Sequence, residues 1–384
     1  MASAPLHTAV DAVQAAGARI VVLGLRGIYW LMKRLPTQNK VMLVSRLYAT
    51  TSQDFATLQT EIVKQHPDTT VVVLNHRNTN SLRVPLQMLG EMYHLATARA
   101  CITDSYIAAI SVLNHKDKLV IVQIWHALGA IKRFGLAALG SEEGRPSRLA
   151  HTMQMHRGYD WVIAGGPLMV QPFAESFGVP AERVLPIGTP RVDRLADKAA
   201  IERRRKRIHD AHPEVGRRPL VLYAPTFRMG EPVEVEPLLD ALEPTGFDVV
   251  VALHPLDPRD FSGRPGVIQD GNITTPEWLA VADAVITDYS ALVFDAAVAN
   301  VPLYFYVYDF DEYLERRGLF LDIDRDLPGP VEREPATLAK ALVDGLGSRE
   351  EVSRFRERYV APADGGCARR IVELAFGAQP GDLT

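Results

Sequence analysis

The residues of this chain able to do chemistry near neutral pH fall at recurrent places. His126 follows the apolar run Leu119–Trp125 and precedes Ala127–Gly129, Lys132, Arg133 and Gly135. His254 ends a second apolar run in LHP, and Arg228 ends a third in APTFR. Thr287, Asp288 and Ser290 end a fourth in ITDYS, and Arg191 and Asp193 lie in GTPRVD. Histidine titrates close to physiological pH, so it can take or give a proton. An arginine fork grips phosphate oxygens in pairs. A serine ahead of a helix marks free backbone N–H groups which, with the helix dipole, form an anion site. Positive groups arriving from several strand ends meet the needs of a diphosphate held without a metal. Each also has a plainer reading: His126 as a satisfied core histidine, Lys132 and Arg133 as a solvated helix face, Ser290 as an ordinary cap.

The elements that must position these groups alternate. Strands are predicted at Lys40–Ser45, Thr70–Leu74, Ala100–Thr103, Leu119–Trp125, Asp160–Ala164 and Val184–Ile187. A second series follows at Leu220–Ala224, Val249–Leu253, Val267–Gln269, Ala284–Thr287 and Leu303–Val307. Helix-period segments separate them, among them Asp54–Gln65, Pro85–Ala98, Ser147–His156 and Leu168–Phe177, and the tail is helical over Pro335–Gly345, Arg349–Val360 and Cys367–Phe376. Such alternation argues for parallel sheets built from βαβ units, with ligands at the carboxyl ends of the strands. The fold class expected is therefore α/β, two Rossmann-like doubly wound domains facing across a cleft. The boundaries expected are an amphipathic segment at 1–36, one domain at 37–190, a second at 191–348, and C-terminal helices at 349–384 that cross back to the first domain.

Composition narrows the field. The 384 residues carry a net charge of -4, with 47% hydrophobic and 23% charged residues, ordinary values for a globular chain of about two domains. The chain lacks the basic domain or stripe of a nucleic-acid binder. Cys101 and Cys367 stand outside any CxxC or His/Cys cluster, which disfavours structural zinc and a disulfide framework and suits a reducing compartment. No GxGxxG follows the first strand of either half, and no P-loop motif occurs. The basic run Arg203–Arg207 reads as a solvated helix face. No stretch reaches the roughly 18 apolar residues of a membrane span, and Ile20–Pro36 lacks a signal-peptide cleavage pattern.

Ile20–Pro36 has an amphipathic pattern instead. On a helical projection Arg19, Arg26, Lys33 and Arg34 share one side, and Ile20, Val21, Leu25, Ile28, Leu31 and Met32 share the other, with Leu23 and Trp30 among the basic residues. Arg19, Arg26, Lys33, Arg34, Lys40 and Arg46 face a single acid, Asp11, in the first fifty residues. The expectation is a helix lying on an anionic membrane surface through this basic stripe, the alternative being a helix packed on its own domain.

Taken together, IWHALGAIKRFG, GTPRVD, YAPTFR, LHP, TDYSALVFD and RRGLFLDIDRDLPGP resemble, in order, the CDP-glycerol glycerophosphotransferases of teichoic acid synthesis. This primase and polymerase family has a glycosyltransferase-B (GT-B) fold, and the resemblance runs from about Leu35 to about Pro330. The family's commoner WHGTPLKK is replaced here by a form with Ala127, Leu128 and Gly129, and its PRND by PRVD with Val192.

The resemblance implies transfer of a polyol phosphate, glycerol phosphate first, from a CDP-alcohol to a hydroxyl of a lipid-linked saccharide or polyol-phosphate acceptor, with release of CMP. It implies His126 as general base and His254 as a second catalytic group. Lys132, Arg133, Arg191, Asp193, Arg228, Thr287, Asp288, Ser290 and Arg317 would bind substrate and phosphate. No cofactor is expected, and no metal: Asp309–Asp311 and Asp322–Asp324 look like DxD triplets but fall in segments the family does not use for one. Partners expected are CDP-glycerol or CDP-ribitol, the acceptor and an anionic membrane surface, at the cytoplasmic face of the membrane. Nucleic acid is not expected, and a homo-oligomer is left open. The lack of an extra domain points to single or short additions. The competing readings are a ribitol-specific enzyme, a sugar-nucleotide glycosyltransferase of the same fold, and an inactive membrane scaffold.

Overall fold

Short apolar runs rich in Val and Ile, each followed by a helical segment, bury both faces of a strand and so favour parallel pairing under helices. The computed structural model describes residues 4–76, 83–141, 147–228 and 232–383, with side chains from Gly17 onward. It contains two six-stranded sheets, parallel throughout. The first holds β1 (Lys40–Ser45), β2 (Thr70–Asn75), β3 (Ala100–Thr103), β4 (Val120–Gln123), β5 (Trp161–Ile163) and β6 (Val184–Leu185), in the order β2-β1-β3-β4-β5-β6. The second holds β7 (Leu220–Tyr223), β8 (Asp248–Val251), β9 (Val267–Ile268), β10 (Ala284–Thr287), β11 (Leu303–Tyr306) and β12 (Val331–Glu332), in the order β12-β11-β10-β7-β8-β9. The strand direction of travel reverses at β1/β3 in the first sheet and at β7/β10 in the second. These are the switch points at which doubly wound sheets bind ligands.

The chain divides into two compact units, residues 1–126, 133–191 and 366–384 forming one, and residues 127–132 and 192–365 the other. In the first unit Val41, Leu43, Ile102, Val122 and Ile163 from the sheet pack with Phe55 and with Ile371, Val372 and Leu374 of the helix Cys367–Ala375. In the second, Val221, Tyr223, Val249, Ile286, Tyr304 and Tyr306 pack with Leu238, Leu242, Leu338 and Leu342. The helix Arg349–Tyr359 belongs to this unit, where Phe355 stacks on Tyr359 and leans on Phe294.

The helix Ala4–Met32 turns two residues of its basic stripe, Arg26 and Lys33, toward its own unit. Arg26 donates to Val112 O and to Gln154 Oε1, and Lys33 donates to His115 O. They share the inward face with Val22 and with Tyr29, whose hydroxyl bonds His115 Nδ1. Long cationic side chains bury their stems and bring their heads to backbone carbonyls, so a basic stripe need not face lipid. The outward face is the apolar one, with Ile20 73%, Leu23 66%, Trp30 59% and Leu31 59% exposed.

Candidate active site

In the first unit the site grows from the ends of β1, β3 and β4. Thr103 Oγ1 donates to Val44 O at 3.0 Å, and the Arg46 N–H donates to Ser105 Oγ, closing the β1/β3 switch point. Gln123, fully buried at the end of β4, donates through Nε2 to Ser105 O and accepts from the Trp125 N–H through Oε1. That clamp holds Trp125 at φ 55, a left-handed conformation costing a bulky residue about 1–3 kcal/mol. The indole is stacked on Phe134 and edged by Phe177 and His156, which offset the strain by packing. Gly135 (φ +57) must be glycine, since a Cβ there would meet Ser176 O at 2.3 Å.

The strained Trp125 turns the chain so that His126 meets the end of β3. Its Nδ1 lies 3.1 Å from Asp104 O. A carbonyl only accepts, so Nδ1 carries the proton and Nε2 of the neutral ring is left as an open acceptor. Burial lowers its pKa to about 4, the Asp104 bond working against this and the Arg191 charge adding to it. Arg191, at the start of the helix Pro190–Ala196, pairs with Asp54 at 3.6 Å. Arg191 is thus engaged by a carboxylate of its own unit. Arg133 is exposed. Asp104, missed by the sequence reading, is buried with Oδ1 lacking a partner. Burial raises its pKa to about 6, against the hydroxyls of Ser45 and Ser105 and with help from Asp54.

In the second unit the site surrounds the β7/β10 switch point. Thr287 Oγ1 donates to Ala224 O at 2.7 Å. Asp288 accepts the Thr226 N–H on both oxygens and Arg228 Nη2 on Oδ2. Arg228 also donates Nε and Nη2 to Asp309 and Nη1 to Thr226 O, while the Tyr289 hydroxyl donates to Asp309 Oδ1. In this arrangement the guanidinium of Arg228 is turned to two carboxylates and a carbonyl. Asp288 and Thr287 serve the same framework. Their types at a strand end read alike whether the partner is a ligand or the protein.

The other candidates keep outward-facing chemistry. Ser290 is half-buried, and the helix Leu292–Ala299 starts after Ala291 rather than at a serine cap, with Ser290 Oγ accepting from the Leu292 N–H at 3.3 Å. His254 is exposed, packs at a tilt against Phe227, and accepts the Leu256 N–H on Nδ1 at 3.2 Å. The neutral ring therefore carries its proton on Nε2 as a donor. Burial and then the Lys132 charge lower its pKa. Lys132 pairs as an antiparallel bridge with Leu319, and the Phe320 N–H donates to Ile131 O at 2.7 Å. Arg317 ends the helix Phe310–Arg317 just before that contact, and Asp193 lies half-buried in the first turn of Pro190–Ala196.

The departures Ala127–Gly129 and Val192 have a packing reason. Leu128 and Val192 are fully buried, and a Cβ on Gly129 would sit 2.5 Å from the Phe294 ring of the helix Leu292–Ala299. The apolar segment that follows His126 is thus part of the second unit's core. Of the two acidic triplets, Asp309 is engaged by Arg228, and Asp322 caps the helix Ile323–Asp326 by accepting from Asp324 and Arg325 N–H groups.

Over residues 28–377 the chain matches the family described as CDP-glycerol:poly(glycerophosphate) glycerophosphotransferase. It is 28% identical to the teichoic acid ribitol-phosphate primase of Bacillus spizizenii, covering 92% of this chain and 96% of that one. It is 27% identical to the teichoic acid glycerol-phosphate primase of Bacillus subtilis, covering 82% and 81%. It spans 57% of the teichoic acid poly(ribitol-phosphate) polymerase of B. spizizenii, at 27% identity over 90% of this chain. The wall teichoic acid polymerase TagF superposes with a TM-score of 0.74 at 21% identity, covering 97% of each chain, a likeness of fold.

Gly129 yields a direct check. Gly129→Ala forces the Phe294 ring to move, and overpacking of this kind costs about 1–3 kcal/mol. The expected outcome is a lowered thermal midpoint, recovered in the double variant Gly129→Ala/Phe294→Leu. An unshifted midpoint in the single variant would show that the ring yields freely.

Proposed function

The chain belongs to the CDP-glycerol:poly(glycerophosphate) glycerophosphotransferase family, and from that membership we propose how its residues transfer a polyol phosphate from a CDP-alcohol to an acceptor hydroxyl in teichoic acid or related wall-polymer synthesis. The observation that carries the reading is the pair of opposite histidine tautomers. His126 presents a bare Nε2 and His254 presents Nε2–H. One is built to take a proton, the other to give a hydrogen bond.

The acceptor oxygen attacks the polyol-side phosphorus while its proton passes to His126 Nε2. The bond from phosphorus to the bridging oxygen breaks, and CMP leaves with that electron pair. His254 Nε2–H and the Lys132 ammonium stabilise charge gathering on the phosphoryl oxygens and on CMP. The N-terminal end of Leu292–Ala299 with Ser290, and Arg317, complete the donor side. A glycerol phosphate donor accords with the family's description, and a ribitol phosphate donor is the second reading, favoured by likeness to a ribitol-phosphate primase over nearly its whole length.

His126→Asn is expected to lower transfer by about two to four orders of magnitude with CDP-glycerol binding retained in calorimetry. Near-normal turnover by the folded variant would remove His126 from the base role, and calorimetric preference for a UDP-sugar would remove the donor assignment.

The reaction is proposed to run without a metal, since Lys132 supplies a cation and His254 a hydrogen-bond donor, and Asp309 and Asp322 are taken up by the protein. Transfer is expected to be unchanged in excess EDTA. Loss reversed by magnesium would overturn this.

The acceptor is proposed to be lipid-linked and the enzyme to work at the cytoplasmic membrane face. Among the described residues no helix is long and apolar enough to cross a membrane. Support comes from the outward apolar face of Ala4–Met32, where Arg34 lies 3.5 Å over Trp30, and from a groove of about 600 Å³ bordered by Arg19, Arg26, Arg148 and His151. An apolar face flanked by cations suits the headgroup boundary of an anionic bilayer. The double variant Leu23→Ser/Leu31→Ser is expected to sediment much less with anionic vesicles at an unchanged thermal midpoint. Equal sedimentation would sink the membrane face.

A further inference from the structure

The two sheets carry the same device at their switch points, and one copy is incomplete. The strands β3 and β10 end in Ile102-Thr103-Asp104 and Ile286-Thr287-Asp288. Thr103 donates to Val44 O on the neighbouring strand as Thr287 donates to Ala224 O. From there they diverge. Asp288 receives two contacts from the Thr226 N–H and one from Arg228. In the first unit the Arg46 N–H goes to Ser105 Oγ, and the Arg46 guanidinium turns away to Glu91. Asp104 has no arginine, is 3% exposed, and keeps Oδ1 buried without a partner. Leaving a buried carboxylate oxygen unpaired is costly. That this happens on the residue whose carbonyl holds the catalytic histidine calls for a role.

We propose that Asp104 is the positioning residue of the transfer: its carbonyl fixes His126 with Nε2 open, and its carboxylate stabilises the imidazolium formed as His126 takes the acceptor proton. The inference rests on His126 being the base. Bonds form and break as in the transfer above; Asp104 exchanges no atom with substrate and acts through the charge on the ring.

Burial and then, after the opposing Asp104 carbonyl bond, the Arg191 charge set the His126 pKa at about 4. Burial raises the Asp104 carboxyl to about 6, and on this proposal the charge it gains above that raises the affinity of His126 for a proton. The surrounding charged and polar groups act on this pair in known directions. Asp54 on the helix Gln53–Gln65 delays ionisation of Asp104, Ser45 and Ser105 favour it, and Arg191 opposes the imidazolium. Arg46 and Glu91 neutralise one another at the end of β1, at 3.1 Å.

The test uses the full chain with CDP-glycerol and a soluble acceptor analogue from pH 5 to 9. Wild type is expected to gain kcat as pH rises through about 6. Asp104→Asn is expected to lose about 10- to 100-fold in kcat with KM for CDP-glycerol unchanged, and to lose the rise near 6. Retained kcat, or a lowered midpoint with the same limb near pH 6, would overturn the proposal by leaving Asp104 a structural residue. Nitrogen-15 NMR of the His126 ring in wild type reads the coupling without any variant. A ring that reports no second ionisation near pH 6, or that carries its proton on Nε2, also overturns it. If His126→Asn retained transfer, the base assignment itself would fall; if only Asp104→Asn behaved as wild type, that assignment would stand.

Discussion

Where a parallel strand ends, its last amides and carbonyls lose the neighbour that paired them, and unpaired buried backbone groups are costly. Both sheets answer this constraint at the switch point with a threonine that bonds the adjacent strand and an aspartate that follows it. Everything functional is built on that answer. The carbonyl after Thr103 is the acceptor for His126, and the carboxylate after Thr287 anchors the turn Ala224–Arg228. The site is an elaboration of the way each sheet finishes its strands.

Electrostatics then separates framework from reactive groups. Arg228 is 5% exposed and its two carboxylate partners 3% and 15%, a group of charges taken out of water together. Removing one member of such a group strands the others at about 3–5 kcal/mol, so Arg228 is fixed by what the second unit needs to fold. His254 and Lys132 are set differently. His254 is exposed, one ring nitrogen accepts a backbone N–H, and burial and then the Lys132 charge lower its pKa. A neutral donor suits both binding of a phosphate and its release.

Much of this was legible in the sequence. The β1, β3 and β10 runs stand at the predicted residues because a strand buried on both faces must be apolar throughout. The two-residue β12 carries too short a pattern to be read. The strand-end histidines were legible as chemistry, their tautomers were not, since these depend on Asp104 O and the Leu256 N–H, groups every residue type supplies. The partners of Arg228 were not legible, because an arginine after a strand looks the same whether phosphate or Asp309 awaits it. The N-terminal helix left two readings open, because a projection separates two faces without saying which one the protein covers. Asp104 left a signal, the echo of ITDYS in ITDSY, visible only when the two halves are aligned to each other.

The segment Ala127–Lys132 gives the family's departures a physical sense. Four of its six residues, Leu128, Gly129, Ala130 and Ile131, are buried, and its end pairs with Leu319 and Phe320 of RRGLFLD. Glycine at 129 lets the backbone approach Phe294 on the helix that begins after Ser290. A change in this loop is therefore read at the N-terminal end of that helix and at the Lys132–His254 pair, groups assigned to the donor, while its first residue is the neighbour of His126. Small and apolar residues in place of the commoner GTPL adjust the packing against Phe294 and leave the tautomer of His126, held by Asp104 O, untouched.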